Sequence, residues 1–343
     1  MLISQKLLGL GLGIVLALLN LDSAIAQNNA AIVAQVGGVK LTMADLEREE
    51  SAKLLQAGYQ YYQVESKALD DLIGKQLLEQ KAKSENLTVD QLVDRDIKSQ
   101  VKDPTEDQLK VYYEGLETEQ PYDVVRGKIL DKIRQLRTDK IRTAYVKALR
   151  EQVSVIVELA PPSANVSVES GNTFGSRDAP VMLIEFADYE CPYCQKVAPD
   201  ITKLESEFGS KLAVTYKDFP LPMHAHAEKA AEAARCAGKQ GKFWEYHDEL
   251  FRSKELDVER LKEHALNLGL DWAQFGKCLD EGDEAASVQQ DRAEGTRLGL
   301  SGTPSFFING HFFSGALDYV ALRQIINQQL AAPPRQVAMV PPR

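Results

Sequence analysis

Four cysteines, Cys191, Cys194, Cys236 and Cys278, hold most of the chemical capacity of this 343-residue chain. Cys191 and Cys194 are separated only by Pro192 and Tyr193, a spacing that lets two sulfurs close a small disulfide or lets one resolve a mixed disulfide made by the other. The preceding run Val181-Met182-Leu183-Ile184-Glu185-Phe186-Ala187 is apolar apart from Glu185, the pattern of a strand buried on both faces. Proline is comfortable at the first position of a helix, so Pro192 places Cys191 at a helix N-terminus and Cys194 one turn further in. Unpaired backbone N–H groups and the positive end of the helix dipole favour a thiolate there, which makes Cys191 the expected nucleophile and Cys194 its resolving partner. Half of a zinc site is an alternative for this pair. It needs a second ligand pair, and Cys236 and Cys278 flank 41 residues while His224 and His226 stand alone. A purely structural disulfide at a helix start is a further alternative.

The start of the chain sets the expected compartment. Met1 to Lys6 carry one positive charge, Leu7 to Leu21 are almost wholly apolar, and Ala24-Ile25-Ala26 has the small-x-small form that precedes signal-peptidase cleavage. The apolar stretch is shorter than the roughly 20 residues that span a bilayer comfortably. The expectation is an exported, periplasmic or otherwise extracytoplasmic protein cleaved after Ala26, in an environment where cysteines form and keep disulfides. The first cysteine is Cys191, so no lipid-modified cysteine follows the cleavage site. A composition of 44% hydrophobic and 26% charged residues is that of a globular protein. The net charge of -10 argues against a generic grip on phosphate backbone, and nucleic acid is not an expected partner.

The length accommodates two or three domains, and the sequence changes character in the middle. Between Ala31 and Glu158 there is neither cysteine nor tryptophan, whereas all four cysteines and both tryptophans follow Pro162. The breaker-rich residues 163–175 read as a linker, between a helical module at 27–162 and a second module at 176–332. Residues 333–343, rich in proline, are expected to be a disordered tail. In the first module Ile32 to Leu41 around Gly37-Gly38 predict a hairpin, and Thr42, three residues before Asp45, predicts a helix N-cap. Leu69, Leu72, Ile73, Leu77 and Leu78 follow a helical period, and Leu87-Thr88 marks another helix start. A long helix is expected from Tyr122 to Gln152, with Val125, Ile129, Ile133, Leu136, Tyr145 and Leu149 near one face. Val153 to Leu159 reads as a short strand.

The stretches Val33-Ala34-Gln35-Val36-Gly37-Gly38-Val39-Lys40-Leu41-Thr42 and Ala68-Leu69-Asp70-Asp71-Leu72-Ile73-Gly74-Lys75-Gln76-Leu77-Leu78, with the long helix running into Pro161-Pro162, resemble the amino-terminal domain of SurA- and PrsA-type chaperones. That resemblance implies binding of unfolded polypeptide. The helices by themselves suit a spacer or a homodimerisation element equally.

The second module resembles DsbA-like thiol-disulfide oxidoreductases over roughly residues 168–330. The likeness is carried by Phe186-Ala187-Asp188-Tyr189-Glu190-Cys191-Pro192-Tyr193-Cys194, Lys217-Asp218-Phe219-Pro220-Leu221, the stretch Ala230 to Phe251 with Gly241-Lys242-Phe243-Trp244, and Gly302-Thr303-Pro304 before the Ser305 to Ile308 strand. It implies an α/β thioredoxin-like fold with a helical insertion, joined to a mostly α-helical N-terminal domain. It further implies that Cys191 exchanges with substrate, that Cys194 resolves, and that Thr303 and a cis Pro304 shape the surface on which a substrate segment lies. Glu185 stands where this family keeps a buried acid. A lone carboxylate in a central strand is costly unless paired or protonated, which suggests proton handling for Cys194 with Lys217 as the partner of Glu185. Cys236 and Cys278 fall where some relatives carry a structural disulfide. No cofactor and no metal are called for. The implied partners are cysteine-containing exported proteins as substrates and a membrane redox protein for regeneration. The direction of exchange, oxidation against reduction or isomerisation, and a non-enzymatic holdase remain alternatives at this stage.

Overall fold

The computed structural model describes residues 31–331; the proposed signal segment and the tail at 333–343 lie outside the described residues. Strands β1 (Ile32–Val36) and β2 (Val39–Thr42) form an antiparallel hairpin. Its turn needs two consecutive residues with positive φ, and Gly37 and Gly38 supply them at +57° and +87°. Thr42 then opens α1 (Met43–Glu49) with a capping box: its hydroxyl accepts from the Asp45 N–H, and the Asp45 carboxylate accepts from the Thr42 N–H. Helix α2 (Ser51–Ser84) follows.

Where the sequence suggests one boundary near residue 163, the contacts divide the chain at two places. One compact unit holds the residues up to Gln60 together with those from Pro161 onward, and Tyr61–Ala160 form the other. The reason is local packing inside the first of these. The Tyr59 ring meets Phe312 at 4.8 Å, its hydroxyl oxygen accepts from the Ser314 N–H at 3.0 Å, and Gly299, at φ +75°, leaves room for Ala52 where a Cβ would stand 3.0 Å away.

The unit Tyr61–Ala160 is helical. Beyond the later turns of α2 it contains α3 (Val89–Asp96), α4 (Glu106–Glu114) and α5 (Tyr122–Gln152). Thr88 with Gln91 and Thr105 with Gln108 make capping boxes at the starts of α3 and α4. Two small apolar cores result, one with Leu77, Leu78, Leu92, Ile97 and Leu149, the other with Leu109, Val125, Ile129 and Ile133. Leu136 does not join them and is 47% exposed. Residues 153–159 are not a strand: no partner strand is beside them, and Ile156 is 82% exposed. Alternating apolar residues form a strand only where a ladder and a buried face await them.

The other unit is built on a five-stranded sheet in the order β3-β5-β4-β6-β7: β3 (Asn172–Phe174), β4 (Val181–Ala187), β5 (Leu212–Asp218), β6 (Ser305–Ile308) and β7 (His311–Ser314). β4 and β5 are parallel, joined by α6 (Pro192–Phe208), and the other pairs are antiparallel. The residues read as a linker are therefore partly sheet, since β3 pairs with β5 and Ser163 bridges to His311. One core lies where α6 and α12 (Tyr319–Ala331) meet Val181, Leu183, Val214, Phe306 and Ile308. The helical insertion comprises α7 (Ala227–Gly238), α8 (Phe243–Ser253), α9 (Val258–Asn267), α10 (Trp272–Glu281) and α11 (Ala285–Arg297). Cys236 on α7 and Cys278 on α10 are disulfide-bonded, with Cα atoms 5.9 Å apart.

Candidate active site

Central strand β4 delivers the chain to the site, and its last residue is followed by a tight turn that the side chain of Asp188 holds. One Asp188 carboxylate oxygen accepts from the Glu190 N–H at 2.7 Å, and the other accepts from the Leu221 N–H at 2.8 Å and lies 2.7 Å from His224 Nδ1. Asp188 was not among the residues singled out from the sequence. An Asp directly after an apolar strand, able to accept from the backbone two residues on, is the signal that could have found it. The turn places Cys191 as the N-cap of α6 with Pro192 at the first helical position.

Cys191 and Cys194 are both free thiols and both buried. Their environments differ. The Cys191 thiol is drawn down to about 5, first by the Cys194 side chain and then, against the opposing effect of burial, by Thr303 and the Tyr193 and Cys194 backbone N–H groups. Burial pushes the Cys194 thiol well up, and the Cys191 hydrogen bond and the nearby Glu185 and Cys191 charges add to that. One sulfur is thus prepared as an anion and the other as a neutral thiol.

Thr303 lies across from Cys191, in the loop that leads into β6, and its bond to Pro304 is cis. The Cys191 thiol donates to the Thr303 carbonyl oxygen at 3.4 Å. With the sulfur protonated, the buried Thr303 hydroxyl has no hydrogen-bond partner; ionisation of Cys191 turns the sulfur into an acceptor that this hydroxyl can serve.

Glu185 occupies the middle of β4, opposite Tyr216 on β5 and Phe306 on β6, and is buried. Burial pushes its carboxyl up to about 8, helped by Glu205 and Cys191. The expected pairing with Lys217 is wrong. Lys217 stands opposite Phe186, so it projects from the other face of the sheet, because successive residues along a strand alternate sides. There its ammonium donates to Ser170 at 2.7 Å and to Asp291 at 3.0 Å, and it also pairs with Glu294. Arg235 links Asp218 and Asp291 in the same buried network. Glu205 is a further unforeseen acid: partial burial and the charge of Asp248 raise it to about 7.

The structure brings Cys191, Cys194, Thr303, Pro304 and Glu185 to one place and sets Cys236 and Cys278 apart, each sulfur committed to the other. His226 is the N-cap of α7 without a side-chain capping bond, and its ring lies near Glu190. Around the far side of the turn, Tyr189, Tyr216, His247, Phe243 and Phe251 pack ring to ring. The Tyr189 hydroxyl lies 3.1 Å from His247 Nδ1, and burial keeps His247 neutral down to about 3.

The comparisons bear on this half of the molecule. The sequence model of the family described as Thioredoxin matches residues 167–328. A protein named Na(+)/H(+) antiporter NhaA 1, from Salinispora arenicola, is 34% identical over 178 residues, 51% of this chain and 27% of that one. The chain thus spans about a quarter of the length of this relative, and the matched segment is the thioredoxin part. Among solved structures, a thioredoxin-like oxidoreductase from Silicibacter pomeroyi is 25% identical with a TM-score of 0.45, covering 48% of this chain and 95% of that one. BdbD from Bacillus subtilis is 24% identical, also at 0.45, covering 50% and 98%. None of these findings supports the resemblance of the N-terminal helices to SurA- and PrsA-type chaperones. The C-terminal half of the chain is a thioredoxin-like domain.

Proposed function

We propose that the chain is a thiol-disulfide oxidoreductase that forms disulfides in exported proteins. The observation that carries the reading is the opposed preparation of two adjacent sulfurs, Cys191 as a stabilised thiolate and Cys194 as a buried thiol, beside the Thr303-Pro304 loop. In the oxidised enzyme a substrate thiolate attacks Cys191 Sγ. The Cys191–Cys194 bond breaks, its electron pair leaves on Cys194, and a Cys191–substrate disulfide forms. Cys194 then takes up a proton, for which Glu185, still protonated near neutral pH, is the adjacent source. A second substrate thiolate attacks the substrate sulfur of the mixed disulfide. Cys191 departs as the thiolate its site favours, the substrate is oxidised by two electrons, and the Cys191/Cys194 pair is reduced by two.

Regeneration requires an oxidant, which we assign to a membrane redox partner. The recurrence of this domain in a longer chain named as an antiporter supports action beside a membrane. The apolar run Leu7 to Leu21 before Ala24-Ile25-Ala26 supports export.

Equilibration with glutathione, read by the fraction of Cys191/Cys194 protected from alkylation, tests the direction. A stabilised reduced form predicts a potential between about -180 and -120 mV. A value near that of a reducing thioredoxin, about -270 mV, would assign the enzyme to reduction instead.

A further inference from the structure

A histidine held by a buried carboxylate stands beside the turn that carries Cys191 and takes no part in the steps above. Residues 219–226, between β5 and α7, are stitched to that turn. The Phe219 N–H donates to the Ala187 carbonyl oxygen, the Leu221 N–H to the Asp188 carboxylate and the His226 N–H to the Glu190 carboxylate, each at 2.8 Å. Pro220 and Pro222 fix φ at two positions of the segment. His224 is thereby presented to Asp188, with Nδ1 2.7 Å from the carboxylate. The Asp188 side chain is wholly buried and that of His224 is 19% exposed, so the pair runs from the interior to the surface. The carbonyl oxygen of Asp188 also accepts from the Cys191 N–H at 3.1 Å, which ties the same residue to the nucleophile.

A carboxylate only accepts, so Nδ1 carries the hydrogen, and the neutral ring keeps a lone pair on Nε2. An imidazole oriented in this way by a third group is the arrangement of a general base. His226 is held more loosely, with Nδ1 3.3 Å from Glu190 and half of its side chain exposed.

We propose that His224 is the general base that takes the proton of an incoming substrate thiol as it attacks Cys191. The inference rests on the oxidoreductase reading above and supplies a base that reading leaves unnamed. A free cysteine thiol titrates near 8.5, so only about 3% of it is thiolate at pH 7, and the thiolate is the form that attacks a disulfide. The substrate S–H bond breaks and its proton passes to His224 Nε2. The electron pair left on the substrate sulfur forms the bond to Cys191 Sγ, the Cys191–Cys194 bond breaks, and its pair leaves on Cys194. The proton of the second substrate thiol goes to solvent when that sulfur displaces Cys191, so both electrons and both substrate protons are placed.

The charges that face His224 change in step with this cycle. Burial opposes a charge on the ring, and Asp188, Glu190 and Cys191 together outweigh it, so that His224 holds a proton more firmly than an ordinary histidine. In the disulfide form Cys191 carries no charge, and the ring is more readily neutral and able to accept. Once Cys191 has departed as a thiolate, the imidazolium beside it is favoured.

Single-turnover formation of the mixed disulfide on the oxidised full chain, quenched in acid and read by mass spectrometry, tests this with two thiols. One is a short peptide with a single cysteine, and the other is thionitrobenzoate, an aryl thiol already ionised at pH 7. His224→Asn keeps a donor for Asp188 and removes the base. It should slow the peptide by about 10- to 30-fold at pH 7, the range the ionised fraction sets, and thionitrobenzoate by no more than about twofold. Near pH 9.5 the loss with the peptide should shrink to about twofold, and imidazole added to the buffer at pH 7 should recover part of it. His226→Asn should leave both rates within about twofold. A loss equal for the two thiols, or as large near pH 9.5 as at pH 7, would make His224 a residue that only holds the turn and would overturn the proposal. So would an unchanged rate with the peptide. Inertness of the unaltered protein toward both thiols would overturn the oxidoreductase reading itself, and this inference with it.

Discussion

The two cysteine pairs lie in one domain and are treated in opposite ways. Cys236 and Cys278 join the last turns of two helices of the insertion inside an apolar cluster, away from either helix N-terminus, and each sulfur is committed to the other. Cys191 and Cys194 share that cluster at its other end, yet one sits at a helix start with backbone N–H groups and Thr303 around it. Burial alone does not decide a cysteine's fate. What decides it is whether the surroundings distinguish the thiolate from the thiol, and only the first pair has surroundings that do.

The sharpest way to break this comparison is to disable each pair in turn. Cys191→Ser should abolish oxidation of a reduced model peptide, a loss of at least about 1,000-fold, whereas Cys236→Ser with Cys278→Ser should leave the rate within about threefold. The second pair should show itself in denaturant unfolding, where opening a loop of this length costs about 4 kcal/mol. Comparable rate losses in the two variants would end the distinction.

The next prediction concerns Glu185, whose burial opposes its charge. Its folded pKa of about 8 exceeds that of the unfolded chain, so the carboxyl penalises folding nowhere below about pH 4, increasingly as the pH rises to 8, and constantly above. Glu185→Gln should therefore stabilise the reduced protein by about 3 kcal/mol at pH 7 and by almost nothing at pH 4. Unfolding curves at the two pH values give the difference, and a stabilisation independent of pH would show that the carboxyl is not held neutral. The same variant should slow formation of the Cys191–substrate disulfide, in which Cys194 leaves and is protonated, by about 10- to 100-fold.

For Cys191 the sign is reversed. Its folded pKa, about 5, lies below the ordinary thiol value of 9. The thiolate therefore stabilises the reduced protein fully above pH 9 and progressively less down to pH 5, where the benefit is lost. The rate of iodoacetamide alkylation should rise with a midpoint near pH 5, with Cys194 silent throughout. A midpoint near 9 would leave no basis for the contrast between the pairs. The smallest expected effect is that of Thr303→Val, which removes one donor to the thiolate and should move that midpoint upward by about one pH unit.

How much of this was legible beforehand follows from how local each determinant is. The Gly37-Gly38 turn, the Thr42 cap with Asp45, the extent of α5 and the Cys191-Pro192 helix start are set by residues within four positions of one another, and the structure has them where the sequence suggests. Lys217 was assigned to the wrong face because a buried lysine one residue out of register with Glu185 is separated from it by the whole thickness of the sheet. Its true partners, Asp291 and Glu294, are more than 70 residues away along the chain, and no short-range pattern announces them. Strand β3 was hidden in breaker-rich sequence because its only cue is β5. The segment 153–159 erred the other way, having the residues of a strand without a neighbour to complete it.

The segment once read as a linker has a protective consequence. A bare strand edge is a hazard, since it invites any extended chain to add itself to the sheet. At β7 the outward-directed donors are already occupied: the Phe312 N–H donates to the Pro162 carbonyl at 2.9 Å and the Ser314 N–H to Tyr59. Ala164 in turn donates to the Gly310 carbonyl at 2.8 Å. Prolines at 161 and 162 have no N–H of their own to offer beyond it. The peptide that leads into the sheet thus doubles as a selvedge, hemming the β7 edge against any extended chain.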